Sequence, residues 1–147
     1  MIALAQALQA AGHDAPLAAP PENEHWVRES GCQFHPLGRD FKAFMDTLGG
    51  VWFNGQLANK VYAGFTSAQN PHGGQEATLL SLYTTFYHWG GYIVTPGYTD
   101  PVVFAAGGNP YGPSVTTGPK GDPPTEADLQ HALYLGRRIT EVAAKVR

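Results

Sequence analysis

Phe65-Thr66-Ser67-Ala68-Gln69-Asn70-Pro71-His72-Gly73-Gly74-Gln75-Glu76 is the stretch on which the fold turns. The apolar run Val61 to Phe65 enters it, and the helix-like run Leu79 to Tyr87 leaves it. A strand that opens through small and polar residues into a helix leaves backbone N–H groups unpaired and pointing outward. Such a loop suits a phosphate, or a polar heterocycle lying flat against main chain. A Gly-rich turn can also serve geometry alone, so composition leaves ligand binding and plain turn-making even.

Outward from this stretch, the periodicity predicts strands over about 60–66 and 91–95, the second stopped by Pro96. Helices are predicted over 39–48, 75–89 and 126–146. The first carries Phe41, Phe44, Met45 and Leu48 and is closed by Gly49-Gly50. The second carries Leu79, Leu82, Tyr83 and Phe86 and ends at Gly90-Gly91. The third opens on the capping box Thr125-Glu126-Ala127-Asp128 and shows an apolar face of Leu129, Ala132, Leu133, Gly136, Ile139 and Ala143, with Arg137 and Arg138 outside it. A short amphipathic helix is expected over 2–11, stopped by Gly12, and residues 13–38 read as a loop or loosely ordered segment. The Gly/Pro-rich excursion from Gly97 to Pro124 carries Tyr98, Phe104 and Tyr111, which favour a packed, functional loop. Helix, strand, helix, strand, long loop, helix is an α/β order with parallel strands in one domain, 1–147, whose sharper part is 39–147.

Composition narrows the function classes. The chain has 147 residues, a net charge of −3 and no basic cluster, which argues against a nucleic-acid surface. Charged residues are only 14%, and glycine (18) with proline (12) makes about a fifth of the chain, loop-rich but short of low complexity. Cys32 is the only cysteine, so no internal disulfide or cysteine-rich zinc site can form. No apolar run is long enough to span a bilayer, and the start lacks the features of a signal peptide, so a soluble cytoplasmic protein is expected.

Individual candidates carry bland readings of their own. His88 near a helix C-terminus is favoured, on position alone, as a dipole or local hydrogen-bond partner over a ligand contact. Trp52, between Gly49-Gly50 and Asn54-Gly55, either packs under its loop or lines a pocket or interface. His13, His25, His35, His72, His88 and His131 offer no pair at helical ligand spacing, so no metal site is expected. No Gly-x-Ser-x-Gly elbow surrounds Ser67 or Ser81, and nothing local activates Cys32, so no catalytic nucleophile is expected.

Taken together, Gly49-Gly50-Val51-Trp52, Phe65-Thr66-Ser67 through His72-Gly73-Gly74-Gln75-Glu76, Leu79-Leu80-Ser81-Leu82, His88, Gly107-Gly108-Asn109-Pro110-Tyr111-Gly112 and Gly136-Arg137-Arg138 resemble the WrbA-type NAD(P)H:quinone oxidoreductases. The likeness runs from about Phe41 to the C-terminus. It implies a flavodoxin-like fold, a doubly wound five-stranded parallel sheet with FMN at the C-terminal ends of its strands. It further implies that Ser67, Ala68, Gln69, Asn70, Pro71 and His72 lie against the isoalloxazine ring and that His88 is the family's flavin-contacting histidine. Trp52 matches the aromatic walling the nicotinamide and quinone cavity, which is completed between subunits of a homotetramer. NAD(P)H would deliver hydride and leave before a quinone takes its place, a ping-pong use of one site with no catalytic side chain.

The chain departs from that family at its start. The family's first apolar strand and its Ser/Thr/Gly-rich phosphate loop have no counterpart, and Met1 to Gly12 looks like the helix that would follow them. Counting back without gaps from Lys42-Ala43-Phe44, the family's Thr-Arg-Phe falls on Cys32-Gln33-Phe34, and only Phe34 agrees, which the resemblance implies as a cofactor contact. In the strand order 2-1-3-4-5 the first and third strands are central, so an incomplete sheet with weakened FMN affinity is expected. A start recorded downstream of the true one, a decayed gene and completion by another subunit all remain open. The alternative function is a non-catalytic flavodoxin-like remnant acting as an oligomerising or regulatory module. A small electron-carrying flavodoxin is weaker, because its usual acidic surface is not evident at −3.

Overall fold

A computed structural model of the chain describes Gln9 and residues 17–19, 24–29, 31, 34–36 and 41–146. In chain order these form β1 (Leu17–Ala19), α1 (Glu24–Glu29), β2 (Phe34–Pro36), α2 (Phe41–Thr47), α3 (Gly49–Phe53), β3 (Val61–Tyr62) and β4 (Thr66–Ala68). There follow α4 (Gln75–His88), β5 (Tyr92–Ile93), α5 (Pro101–Ala105), β6 (Ser114–Thr116) and α6 (Glu126–Lys145). The helix expected over 2–11 lies outside the described residues apart from Gln9, which is helical.

The ladders among the described residues are parallel and two-stranded: β1 with β2, β3 with β5, and β4 with β6. This is the α/β, flavodoxin-like arrangement that the sequence predicts, in incomplete form. Residues 13–38, expected as a loop, contain a β–α–β unit in which α1 packs on both β1 and β2 and buries Val27.

The single strand expected over 60–66 is two pieces. Val61 and Tyr62 pair with Tyr92 and Ile93, whereas Thr66 to Ala68 pair with Ser114 to Thr116. Gly64 lies between them, and a Cβ there would stand 2.9 Å from Leu79 Cδ2 and 3.1 Å from Tyr83 Cε1. The neighbouring strand is interrupted at the same level, because the chain leaves the sheet after Val94 and returns at Ser114. The excursion is therefore not all loop: it holds α5, opened by Pro101 and capped by Asp100, whose carboxylate accepts from Val102 N.

α4 is the central helix. Leu79, Tyr83 and Phe86, spaced i, i+4, i+7, are buried, with Met45, Tyr62, Leu82, Trp89, Ile93 and Tyr111 packed around them. Tyr62 stacks on Phe86 at 4.6 Å. Each such burial is worth about 1.5–3 kcal/mol. The helix stops in a Schellman motif: Gly90 has φ +74°, its N–H donates to Tyr87 O, and Gly91 N–H donates to Phe86 O.

Gly49-Gly50 do not end the helical region as expected. Neither adopts the positive φ that a glycine stop requires, Leu48 stays right-handed, and a second helix, α3, begins at once. On α6 the capping box forms, with Thr125 Oγ1 accepting from Asp128 N and the Asp128 carboxylate accepting from Thr125 N. Its buried face is rotated from the expected one: His131, Ala132, Leu135 and Gly136 are buried, while Leu129 and Leu133 are only partly covered. Arg138, expected outside the packed face, donates from Nε to the Thr95 carbonyl at 2.9 Å and ties α6 to the end of β5. No described helix is long and apolar enough to cross a membrane.

Candidate functional site

β4 ends where Ala68 O accepts from Thr117 N at 2.9 Å, which holds the loop's entry against the end of β6. The loop then turns back on itself. Asn70 O accepts from Gly73 N at 3.0 Å and from Gln75 Nε2 at 2.9 Å. Gly73 is required by space, since a Cβ there would lie 2.4 Å from Ala68 Cβ. Gly74 adopts φ +83° and starts α4 with no side-chain cap, so the first-turn amides of Gln75, Glu76 and Ala77 keep their donors for other partners.

The opposite wall is built by the return of the excursion. Gly107 adopts φ +94°, and Asn109, almost fully buried, accepts from Tyr111 N at 3.1 Å while its Nδ2 donates to Ser114 Oγ at 3.0 Å. Between the walls lies a cavity of about 560 Å³, lined by Pro71, His72 and Gly74 to Ala77 on one side and Ala106, Gly107, Asn109, Ser114 and Thr116 on the other. A Cβ added at Gly74 or Gly107 would meet nothing within 4 Å. The cavity thus has bare main chain on both walls, a helix N-terminus, and His72 and Glu76 as its ionisable side chains. That combination fits a flat, polar heterocycle.

Of the residues singled out from sequence, Pro71 and His72 line the cavity, and Ser67, Ala68, Gln69 and Asn70 lead into it. The backbone of Phe34 lies in β2, and its side chain is outside what the structure describes. Trp52 and His88 are brought to each other: their ring centroids are 5.4 Å apart, and Trp52 Nε1 donates to His88 O at 3.3 Å. They sit at the opposite end of α4 from the loop, about 20 Å along the axis at 1.5 Å per residue. One chain therefore does not join them to the cavity. Sequence reading missed Asn109, Ser114 and Thr116 as cavity lining, although the Gly107–Gly112 segment signalled that the region mattered.

No protein-family model matches the chain. Among curated proteins, it is 47% identical over 137 residues to a protein from Deinococcus radiodurans named NAD(P)H dehydrogenase (quinone), covering 90% of this chain and 67% of the relative. It is 37% and 35% identical to proteins of the same name from Methylocella silvestris and Rhizobium rhizogenes, covering 90% of this chain and 71% of each relative. The chain belongs to the NAD(P)H dehydrogenase (quinone) family. Membership bears out the resemblance to the WrbA-type enzymes and sets the chain among the oxidoreductases. Two of the segments that carry the family likeness, His72–Glu76 and Gly107–Gly112, supply residues to the lining of this cavity.

Proposed function

We propose that the chain works in the FMN-dependent reduction of quinones by NAD(P)H. The observation that carries this reading is that the His72–Glu76 and Gly107–Gly112 segments, far apart in sequence, supply the two walls of one cavity. Ser67, Ala68, Gln69, Asn70, Pro71 and His72 would hold the flavin ring edge, with Phe34 as a further contact. When bound, FMN supplies a two-electron relay that accepts hydride from NAD(P)H and releases it to a quinone, giving ping-pong kinetics from one site. The chain's own part is binding and orientation. The loop's main chain and the first-turn amides of α4 offer donors to a polar ring, while Gly74 and Gly107 let a plane approach the backbone.

Trp52 and His88 enter this reading from a second copy. Their distance from the loop along α4 requires a neighbour to bring them over the ring, as a homotetramer would. Trp52 would then supply the aromatic wall against which nicotinamide and quinone stack. A cytoplasmic location goes with the reading. Titrating the purified chain with FMN, followed by fluorescence quenching, tests it: saturable quenching and benzoquinone-dependent oxidation of NADH or NADPH are expected. A colourless protein that leaves FMN fluorescence unchanged overturns it.

A second reading is a non-catalytic oligomerising module. It is favoured by the exposure of Trp52, Phe53 and Tyr87, large aromatics away from the cavity. A defined oligomer on size-exclusion chromatography that takes up no flavin would select it.

A further inference from the structure

The ladder beside the cavity loop is broken over Ala63 to Phe65, between β3 and β4. On one side of the break Val94 N donates to Tyr62 O at 2.9 Å, and on the other Thr66 N donates to Pro113 O at 3.0 Å. Gly64 lies between, buried, where its neighbouring strand has left the sheet. Its N–H is not orphaned: it donates at 3.2 Å to the hydroxyl of Tyr83 on α4, and that hydroxyl donates onward to the Tyr111 carbonyl. Gly112 presses on the same spot, since a Cβ there would stand 2.2 Å from Gly64 O.

The geometry points to the Tyr83 hydroxyl as a positioning group for the cavity, a one-atom rung that replaces the absent strand partner and sets the 106–116 wall against the 67–74 loop. A phenol suits the task because it accepts and donates at once. Tyr83 is only 3% exposed, which shields its hydroxyl from water, and burial raises its pKa and keeps the proton in place. Both partners lie a few residues from the walls. Gly64 precedes Ser67 in β4, and Tyr111 stands between Asn109 and Ser114. Removing the oxygen leaves a buried donor and a part-buried acceptor unpaired, and the donor can recover a partner only if the walls part to admit water. The walls then lose their fixed separation.

Tyr83→Phe tests this, with Leu135→Ala as a control that destabilises the core on α6 without touching the rung. Amide hydrogen exchange of the apo chain needs no ligand. In Tyr83→Phe, exchange at Gly64, Thr66, Val115 and Thr117 should quicken at least tenfold relative to the buried amides of α4, whereas Leu135→Ala should not single out those sites. In a titration with FMN, which rests on the proposed function, Tyr83→Phe should raise the dissociation constant about tenfold and Leu135→Ala should leave it near wild type. A wild-type chain that ignores FMN defeats the proposed function, while the exchange result still decides the rung. Equal exchange in Tyr83→Phe and wild type at Gly64, Val115 and Thr117, or the same pattern in both variants, overturns the inference. If Tyr83→Phe does not fold, wild-type exchange decides: Gly64 must be protected and must open together with Val115 and Thr117, and an unprotected Gly64 amide overturns it.

Discussion

The indole of Trp52 lies against the imidazole of His88, with ring centroids 5.4 Å apart, planes inclined by 30°, and the indole N–H donating to the His88 carbonyl. An aromatic contact of this kind contributes about 0.5–1.5 kcal/mol. Trp52 is 41% exposed, so the pair closes no core and leaves part of the indole open to solvent. Trp52→Ala should therefore cost only about 1 kcal/mol in urea unfolding. It should raise the KM for benzoquinone at least tenfold while FMN uptake stays unchanged. An unaltered KM would remove Trp52 from the substrate wall.

Gly64 and Gly112 meet across the interrupted ladder, and the two should differ in tolerance. At Gly64 an added methyl would meet side-chain atoms of Leu79, Tyr83 and Leu82 at 2.9–3.2 Å, which can give slightly. At Gly112 it would meet the Gly64 carbonyl oxygen at 2.2 Å, a backbone atom that cannot. Gly64→Ala should cost about 1–3 kcal/mol and Gly112→Ala more than that. Denaturant midpoints of the two variants check the order, and a more stable Gly112→Ala would contradict the close approach.

The helix cap at Thr125 offers a smaller, local test. Its hydroxyl accepts from Asp128 N, and the Asp128 carboxylate accepts in return. Thr125→Ala should lower stability by about 1 kcal/mol, read from urea unfolding, with flavin binding unaffected because α6 does not line the cavity.

What was legible in the sequence was local. The strand, loop and helix from Val61 to His88 announce themselves through the i, i+4, i+7 spacing of Leu79, Tyr83 and Phe86, and the Thr125 box through its own four residues. Ser114–Thr116 gave no such signal. Three residues after Pro113 show no alternation, and their partner strand at Thr66–Ala68 lies far back in the chain. The cavity has the same origin: Asn109 and His72 face it only because that distant pairing forms. His131, weighed only as a metal ligand, falls outside the expected apolar face because a histidine does not score as apolar, although its position on α6 is on the buried face with Leu135.

His131 is 1% exposed, and its Nε2 has no hydrogen-bond partner among the described residues. Burial lowers its pKa from the ordinary value, with Asp128 one turn earlier acting weakly in the other direction. The unfolded chain then binds a proton more readily than the folded one, so stability rises with pH through this group. Its contribution is complete above the unfolded value of about 6.5 and is lost as pH falls through the lower folded value. Wild-type thermal stability should therefore drop between pH 7.5 and pH 5.5, a window above the ordinary carboxylate range. His131→Leu removes both the titration and the unpaired nitrogen, so its melting temperature should change little over that window and exceed wild type at pH 5.5. If the variant loses stability as steeply as wild type, another group drives the acid sensitivity and His131 is not buried in its neutral form.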